Sequence, residues 1–192
     1  MPKTVFIIIA LLPVLLLQAC APVVVGGAAV GASVLHDRRP AKVVLTDEQN
    51  ELRVYSRIGE EQELAEQTSV GVTSYNAVVL LTGQAQTPRQ KARVEEIAAA
   101  VPDVKRVVNE IQISNGASLV SESHDVYLTS RVKLALFDLD LPDFDPTRVK
   151  VVTEQDVVFL MGLVTPQEAD AVVEKVRYVD GVKRVVKVFE YL

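Results

Sequence analysis

The sequence predicts an α+β protein built from two tandem copies of one small module. Each copy has the order helix, strand, strand, helix, strand, with a three-stranded sheet packed on two helices. Three observations carry this. The chain repeats itself: residues 77–83 (AVVLLTG) match 156–162 (DVVFLMG), 87–90 (TPRQ) match 165–168 (TPQE), and VKRVV at 104–108 recurs at 182–186. Short β-branched runs are separated by turn residues, as strands require. Each copy also carries Thr-Pro-x-Gln/Glu, a helix-start capping box with proline at the first helical position. The repeat offset is 79 at Gly83 and Gly162 and 78 afterwards, so the second copy has one residue fewer between strand and helix.

Composition narrows the function classes. The chain has 192 residues, 49% hydrophobic and 23% charged, enough apolar material to fill a core. One cysteine cannot form an internal disulfide, and with two histidines it cannot build a usual Cys/His zinc site. A net charge of −5 argues against nucleic acid as a partner.

The elements follow in chain order. Residues 1–19 read as a lipoprotein signal peptide. A short basic start precedes the apolar run 5–17, which is too short to span a bilayer at about 20 helical residues. It ends in Leu16-Leu17-Gln18-Ala19-Cys20, a pattern similar to the bacterial lipobox, so Cys20 is the expected site of lipid attachment. Ala21, rather than Asp, follows the cysteine, which favours sorting to the outer membrane. Residues 20–45 are then the lipidated Cys and a tether rich in Gly, Ala and Val. A flexible linker and an interfacial or self-associating segment both suit its composition.

The first module is expected over 46–114. Thr46 caps the first helix with Gln49 as its capping-box partner, residues 70–74 and 78–81 form a hairpin, Thr87 opens the second helix, and 104–113 is the last strand. The second module is expected over 121–192. Ser123 is a candidate N-cap, and Leu128, Val132, Ala135 and Leu136 make one helical face. The acidic stretch DLDLPDFDP ends that helix. Strands at 149–153 and 157–164 flank a turn at Glu154-Gln155-Asp156, and Thr165 opens a helix carrying Ala169, Val172, Val173, Val176 and Val179. Gly181 follows that helix and 182–191 is the last strand. Gly83 and Gly162 mark places where a closely packed helix would leave no room for a side chain.

Few residues invite a chemical role. Asp138, Asp140, Asp143 and Asp145 alternate as in a calcium loop, but Asp143 and Val149 stand where that loop needs Gly and Glu. A solvated acidic loop is the better reading. His36 and His124 have no cysteine or serine arrangement around them that would make a nucleophile. Lys105-Arg106 and Lys183-Arg184 read as solvated charges guarding strand ends. Nothing in the pattern calls for a metal or a cofactor, and the protein reads as a non-enzyme.

The strand pair with its glycine, the Thr-Pro helix start and the VKRVV strand start resemble the BON domain, a small module of the bacterial periplasm. The resemblance covers essentially the whole chain and is closer in the second copy. It implies an outer-membrane lipoprotein facing the periplasm. Such a protein supports envelope integrity, binds anionic phospholipid and gathers at division sites. It also implies that the lipid contact lies on the first helix of the second domain, around an exposed aromatic residue. That residue would be Tyr127, where relatives carry Trp. Arg131 and Leu134 follow on the same side, with Lys133 and Phe137 flanking, a set suited to an anionic membrane surface. The first helix of copy one offers Tyr55, with Glu51 one turn before and Glu60-Glu61 after. The alternative is a scaffold that binds an envelope protein of an outer-membrane assembly or peptidoglycan-remodelling system.

Overall fold

The computed structural model describes residues 37–114 and 119–192, the side chains of 119–122 excepted. Residues 38–192 form one compact unit. The signal peptide, Cys20, the tether as far as residue 35 and His36 lie outside the described residues, whereas residues 37–45, expected as the end of the tether, are part of the fold: Arg38 holds Glu168, Arg39 pairs with Asp47 and α1 starts at Ala41.

The first half contains α1 (Ala41–Glu60), α2 (Gln62–Gln67), β1 (Thr68–Tyr75), β2 (Val78–Ala85), α3 (Pro88–Ala99), β3 (Arg106–Asn109) and β4 (Gln112–Ile113). The second half contains α4 (Leu119–Phe137), a 3₁₀ turn (Pro146–Arg148), β5 (Lys150–Glu154), β6 (Val157–Val164), α5 (Pro166–Val176) and β7 (Arg184–Tyr191). Each half has its own sheet. β1 pairs antiparallel with β2, and β3 and β4 pair parallel with β2. In the same way β5 pairs antiparallel and β7 parallel with β6. Two of the three predicted capping boxes form, Thr87 with Gln90 and Thr165 with Glu168.

Four local expectations are corrected. Thr46 does not open α1; the helix starts five residues earlier behind Pro40, and the Thr46 hydroxyl donates back to the Lys42 carbonyl at 2.9 Å. Ser123 and His124 lie inside α4, which starts at Leu119. The last strand of the first half is interrupted at Glu110–Ile111, because the Asn109 side chain takes the Ile111 N–H at 3.2 Å. β7 has no such break. Finally, the two strand glycines are required by neighbouring backbone rather than by helix packing. A Cβ on Gly83, whose φ is +95°, would stand 2.0 Å from the Ser69 carbonyl oxygen, and one on Gly162 would stand 2.9 Å from the Arg148 carbonyl oxygen.

Packing explains why the central strands read as continuous apolar runs rather than alternating ones. Along β2, Val79 and Leu81 face the helices, where they join Val54, Ile58, Val94 and Ile97. Val78 and Leu80 face the other way and meet Phe159, Met161 and Val188 of the second sheet. Val158, Leu160 and Val164 complete the second helix-side core with Leu128, Val132 and Leu136. The unit is therefore two helix-covered sheets packed back to back.

The halves are also joined by polar groups. Arg38 donates to both carboxylate oxygens of Glu168, at 2.6 and 2.8 Å, and to the Leu163 carbonyl. Lys150 pairs with Glu51 at 2.8 Å, and Asn76 donates to Glu190 at 2.7 Å. Arg184 pairs with Glu110, and Lys183 with Asp156, so this second basic pair is tied to acidic partners.

Candidate functional site

The register between the halves is set by a feature not anticipated from the sequence. Each first helix carries one buried aspartate that holds its hairpin turn. Asp47 accepts from the Asn76 and Ala77 N–H groups at 2.7 and 2.8 Å, and Asp125 accepts from the Gln155 and Asp156 N–H groups at 2.8 and 3.0 Å. All four turn residues have positive φ, the geometry of a tight hairpin turn. Asp47 and Asp125 are 78 residues apart and their hairpin turns 79 apart, so an acidic residue recurring at nearly the repeat spacing was the available sequence signal. The buried residues then correspond in order: Asp47, Asn50, Val54 and Ile58 in α1 with Asp125, Leu128, Val132 and Leu136 in α4.

With the core face settled, the outer face follows from a rotation of about 100° per residue. Lys133, Val126, Phe137, Ser130, Leu134 and Tyr127 occupy one arc of roughly 120° opposite the core. The four apolar members are all strongly exposed, Val126 at 69%, Leu134 at 66%, Phe137 at 65% and Tyr127 at 58%. α4 is thus apolar on two opposite faces, while a solvent-facing helix surface is ordinarily polar. Arg131 sits at the side of this arc. Its guanidinium lies 5.8 Å from the Tyr127 ring centroid and donates to Asp180, to the backbone oxygen at 3.2 Å and the carboxylate at 3.3 Å. Lys133 is exposed and makes no ion pair among the described residues.

The five predicted site residues of α4 therefore share one side of the molecule. The first half reproduces that surface only in part: Leu45, Leu52 and Tyr55 are exposed on the outer side of α1, but charged and polar residues take the other places. In the shared register Tyr127 corresponds to Gln49, not to Tyr55, and Val126, Leu134 and Phe137 correspond to Glu48, Ser56 and Gly59. Tyr55 has a separate task. Its hydroxyl accepts from the Val72 N–H at 2.9 Å, and Glu51 accepts from the Ser74 N–H at 2.8 Å, so the pair covers the free edge of β1.

The acidic loop after α4 brings no ligand set together; Asp145 caps the 3₁₀ turn instead. Among the described residues His124, Asp125 and Asp156 do approach one another. Their lone pairs are already engaged, with Asp156 bonded to His124 at 2.7 Å and to Lys183 at 2.6 Å, and Asp125 bonded to the turn N–H groups. The Lys183 hydrogen bond, assisted by His124, holds the Asp156 carboxyl below the usual carboxylate range. This group fastens the hairpin to the helix. No helix among the described residues is long and apolar enough to cross a membrane.

Comparison with known proteins agrees with the duplicated architecture. The BON domain family model matches residues 46–115 and 124–192. The chain is 36% identical over 176 residues to outer membrane lipoprotein DolP of Haemophilus influenzae, covering 92% of this chain and 90% of that protein. It is 35% identical over 156 residues to a 21 kDa hemolysin of Actinobacillus pleuropneumoniae, covering 81% of this chain and 79% of that protein. Two matched domains and near full-length similarity place this chain in the BON-domain family, as a dual-BON lipoprotein of the DolP kind.

Proposed function

We propose that this protein is held at the outer membrane, on its periplasmic face, by acyl chains on Cys20, and that it binds anionic phospholipid through α4 of its second BON domain. The observation that carries the reading is the solvent-facing apolar arc of Val126, Tyr127, Leu134 and Phe137 beside Lys133 and Arg131. Aromatic and aliphatic side chains flanked by cations suit the boundary between lipid head groups and acyl chains. Two contacts, the acyl anchor and the helix face, raise the effective affinity for membrane beyond either alone. The protein then acts by placing itself on particular lipid surfaces, in support of envelope integrity and at division sites, and not by catalysis.

The test is flotation of residues 38–192 with phosphatidylglycerol vesicles. Tyr127→Glu removes an aromatic anchor worth ~1–2 kcal/mol of burial and adds a repelled charge worth ~1 kcal/mol. Binding should fall about 30- to 150-fold while the melting curve stays in place, because Tyr127 is outside the core. Gln49→Glu, at the corresponding place in the first domain, should change nothing. Salt should weaken binding only modestly, since Asp180 already engages Arg131 and leaves Lys133 as the unpaired cation of the face.

A second reading keeps the same face for an envelope protein partner. The Arg131–Asp180 pair favours it, because internal neutralisation of a cation suits a protein surface more than an anionic bilayer. Wild-type binding of Tyr127→Glu to vesicles would give this reading preference.

A further inference from the structure

The two halves differ at a second place, on the other helix of each domain. In the first domain Glu61 and Arg93 form an ion pair at 2.6 Å, and Arg93 also pairs with Glu96 at 3.0 Å. This bridge links the C-terminal end of α1 to α3. In the shared register Glu61 corresponds to Leu139 and Arg93 to Ala171. The second domain therefore has two apolar side chains where the first has a charged bridge, and a shallow cavity of about 390 Å³ opens there. It is lined by Leu139, Ala171, Glu174, Lys175 and Tyr178, and its surface is almost wholly apolar.

Ala171, Lys175 and Tyr178 are spaced i, i+4 and i+7, one stripe running along α5 and just past its end. Lys175 donates to the Asp138 carbonyl at 3.4 Å, which sets the stripe against the C-terminal end of α4. That end carries Leu134 and Phe137. Tyr178 is 69% exposed, with the Arg177 guanidinium 4.8 Å from its ring centroid. A second aromatic with a cation against its ring thus stands beside an apolar groove next to the C-terminal end of α4.

We propose that the lipid-binding surface of the second domain extends over α5, and that the groove between Leu139 and Ala171 takes an acyl chain of an anionic phospholipid. Tyr178 closes one side of the groove as an interfacial anchor, and Lys175 is the cation left to face the phosphate, since Arg177 pairs with Glu174 at 3.0 Å. The occupant follows from the chemistry of the place: a trough with an almost wholly apolar surface suits a hydrocarbon chain, and Lys175 at its rim suits the head group. This deepens the α4 reading and rests on it.

The experiment uses the full-length lipoprotein reconstituted into vesicles of phosphatidylcholine, with or without phosphatidylglycerol. A fluorophore is attached at Ser130→Cys on the α4 face or at Glu174→Cys on the groove rim. The wild-type chain carried through the same labelling is the blank, and brominated acyl chains are the quencher. With phosphatidylglycerol present both probes should be quenched at least twofold. Adding Leu139→Glu with Ala171→Arg, which rebuilds the ion pair of the first domain, should abolish quenching at position 174 and spare it at position 130. A melting curve confirms that this variant is folded; should it unfold, Ala171→Leu, which fills the groove without charge, gives the same readout. Quenching at 130 but not at 174 overturns the groove proposal and leaves the α4 reading standing. Quenching at 174 that survives a folded, filled groove also overturns it. Absence of quenching at both positions overturns the two readings together.

Discussion

Asn50 is the position where the duplicated architecture yields its sharpest stability prediction. It is fully buried in α1, and neither its side-chain oxygen nor its nitrogen has a hydrogen-bond partner among the described residues. Its counterpart in α4 is Leu128, packed in the second core. An unsatisfied buried amide costs about 1–3 kcal/mol, and a buried leucine contributes about 1.5–3 kcal/mol of transfer free energy. Asn50→Leu should therefore stabilise the first domain, but steric room limits the gain. In the second domain Leu128 lies against Gly181, where an added Cβ would stand 3.4 Å from the leucine Cδ1. The first domain has Asp103 at the corresponding place, with φ at +71°. A leucine at position 50 then meets the Asp103 Cβ at the near edge of ordinary van der Waals contact, where a small misfit costs about 1 kcal/mol. The expected gain is about 1–3 kcal/mol for Asn50→Leu alone and about 2–4 kcal/mol with Asp103→Gly added. Asp103→Gly alone should be near neutral, since its ion pair with Arg53 is long and exposed. The coupling between the two sites should thus be about 1 kcal/mol. Urea unfolding of the four proteins in the cycle measures it, and thermal midpoints should rise by ~2–4 °C per kcal/mol. A double variant no more stable than wild type, or a coupling of zero, would refute the pairing of Asn50 with Leu128 and of Asp103 with Gly181.

Three further outcomes are expected. Gly83→Ala should destabilise by more than about 4 kcal/mol, since its Cβ would meet backbone at 2.0 Å in a positive-φ residue, whereas Gly162→Ala, meeting backbone at 2.9 Å, should cost about 1–3 kcal/mol; urea midpoints compare them. The hydrogen bonds from Arg38 hold the Glu168 carboxyl below the usual glutamate range. A depressed folded-state value stabilises the fold above the unfolded-state pKa and is lost as pH falls through the folded one. Glu168→Gln should accordingly be less stable than wild type at pH 7, and the gap should narrow in urea titrations at pH 3. Cys20→Ala should block acylation and release the protein from the outer-membrane fraction; unchanged fractionation, with no acyl mass on the wild type, would remove the anchor reading.

Much of this architecture is readable without coordinates because its signals are local. The hairpins, the Thr87 and Thr165 capping boxes and the repeat spacing each depend on residues a few positions apart, or on direct comparison of the two copies. Helix starts were less legible, since Pro40 opens α1 by backbone geometry with no side-chain cap, and Thr46 mimics a cap from within the helix. The exposed side of α4 was also within reach of the sequence, because Leu128, Val132 and Leu136 define the opposite face.

Contacts between residues distant in sequence were decided by the tertiary structure alone. Back-to-back packing of the sheets depends on two apolar faces meeting across the molecule, and an apolar strand looks the same whether a helix or another sheet covers it. The Arg38–Glu168 clamp joins residues 130 positions apart, and either partner alone reads as an ordinary surface charge. Asp47 and Asp125 look like solvent-facing helix residues until the hairpin folds back and presents its turn N–H groups. Once it does, those two aspartates fix the register that pairs Tyr127 with Gln49, and that pairing makes the two domains unlike. Sequence thus determined the modules and their order, because each is specified by short-range pattern. The join between them waited on folding, because burial and hydrogen-bond satisfaction are properties of the assembled chain.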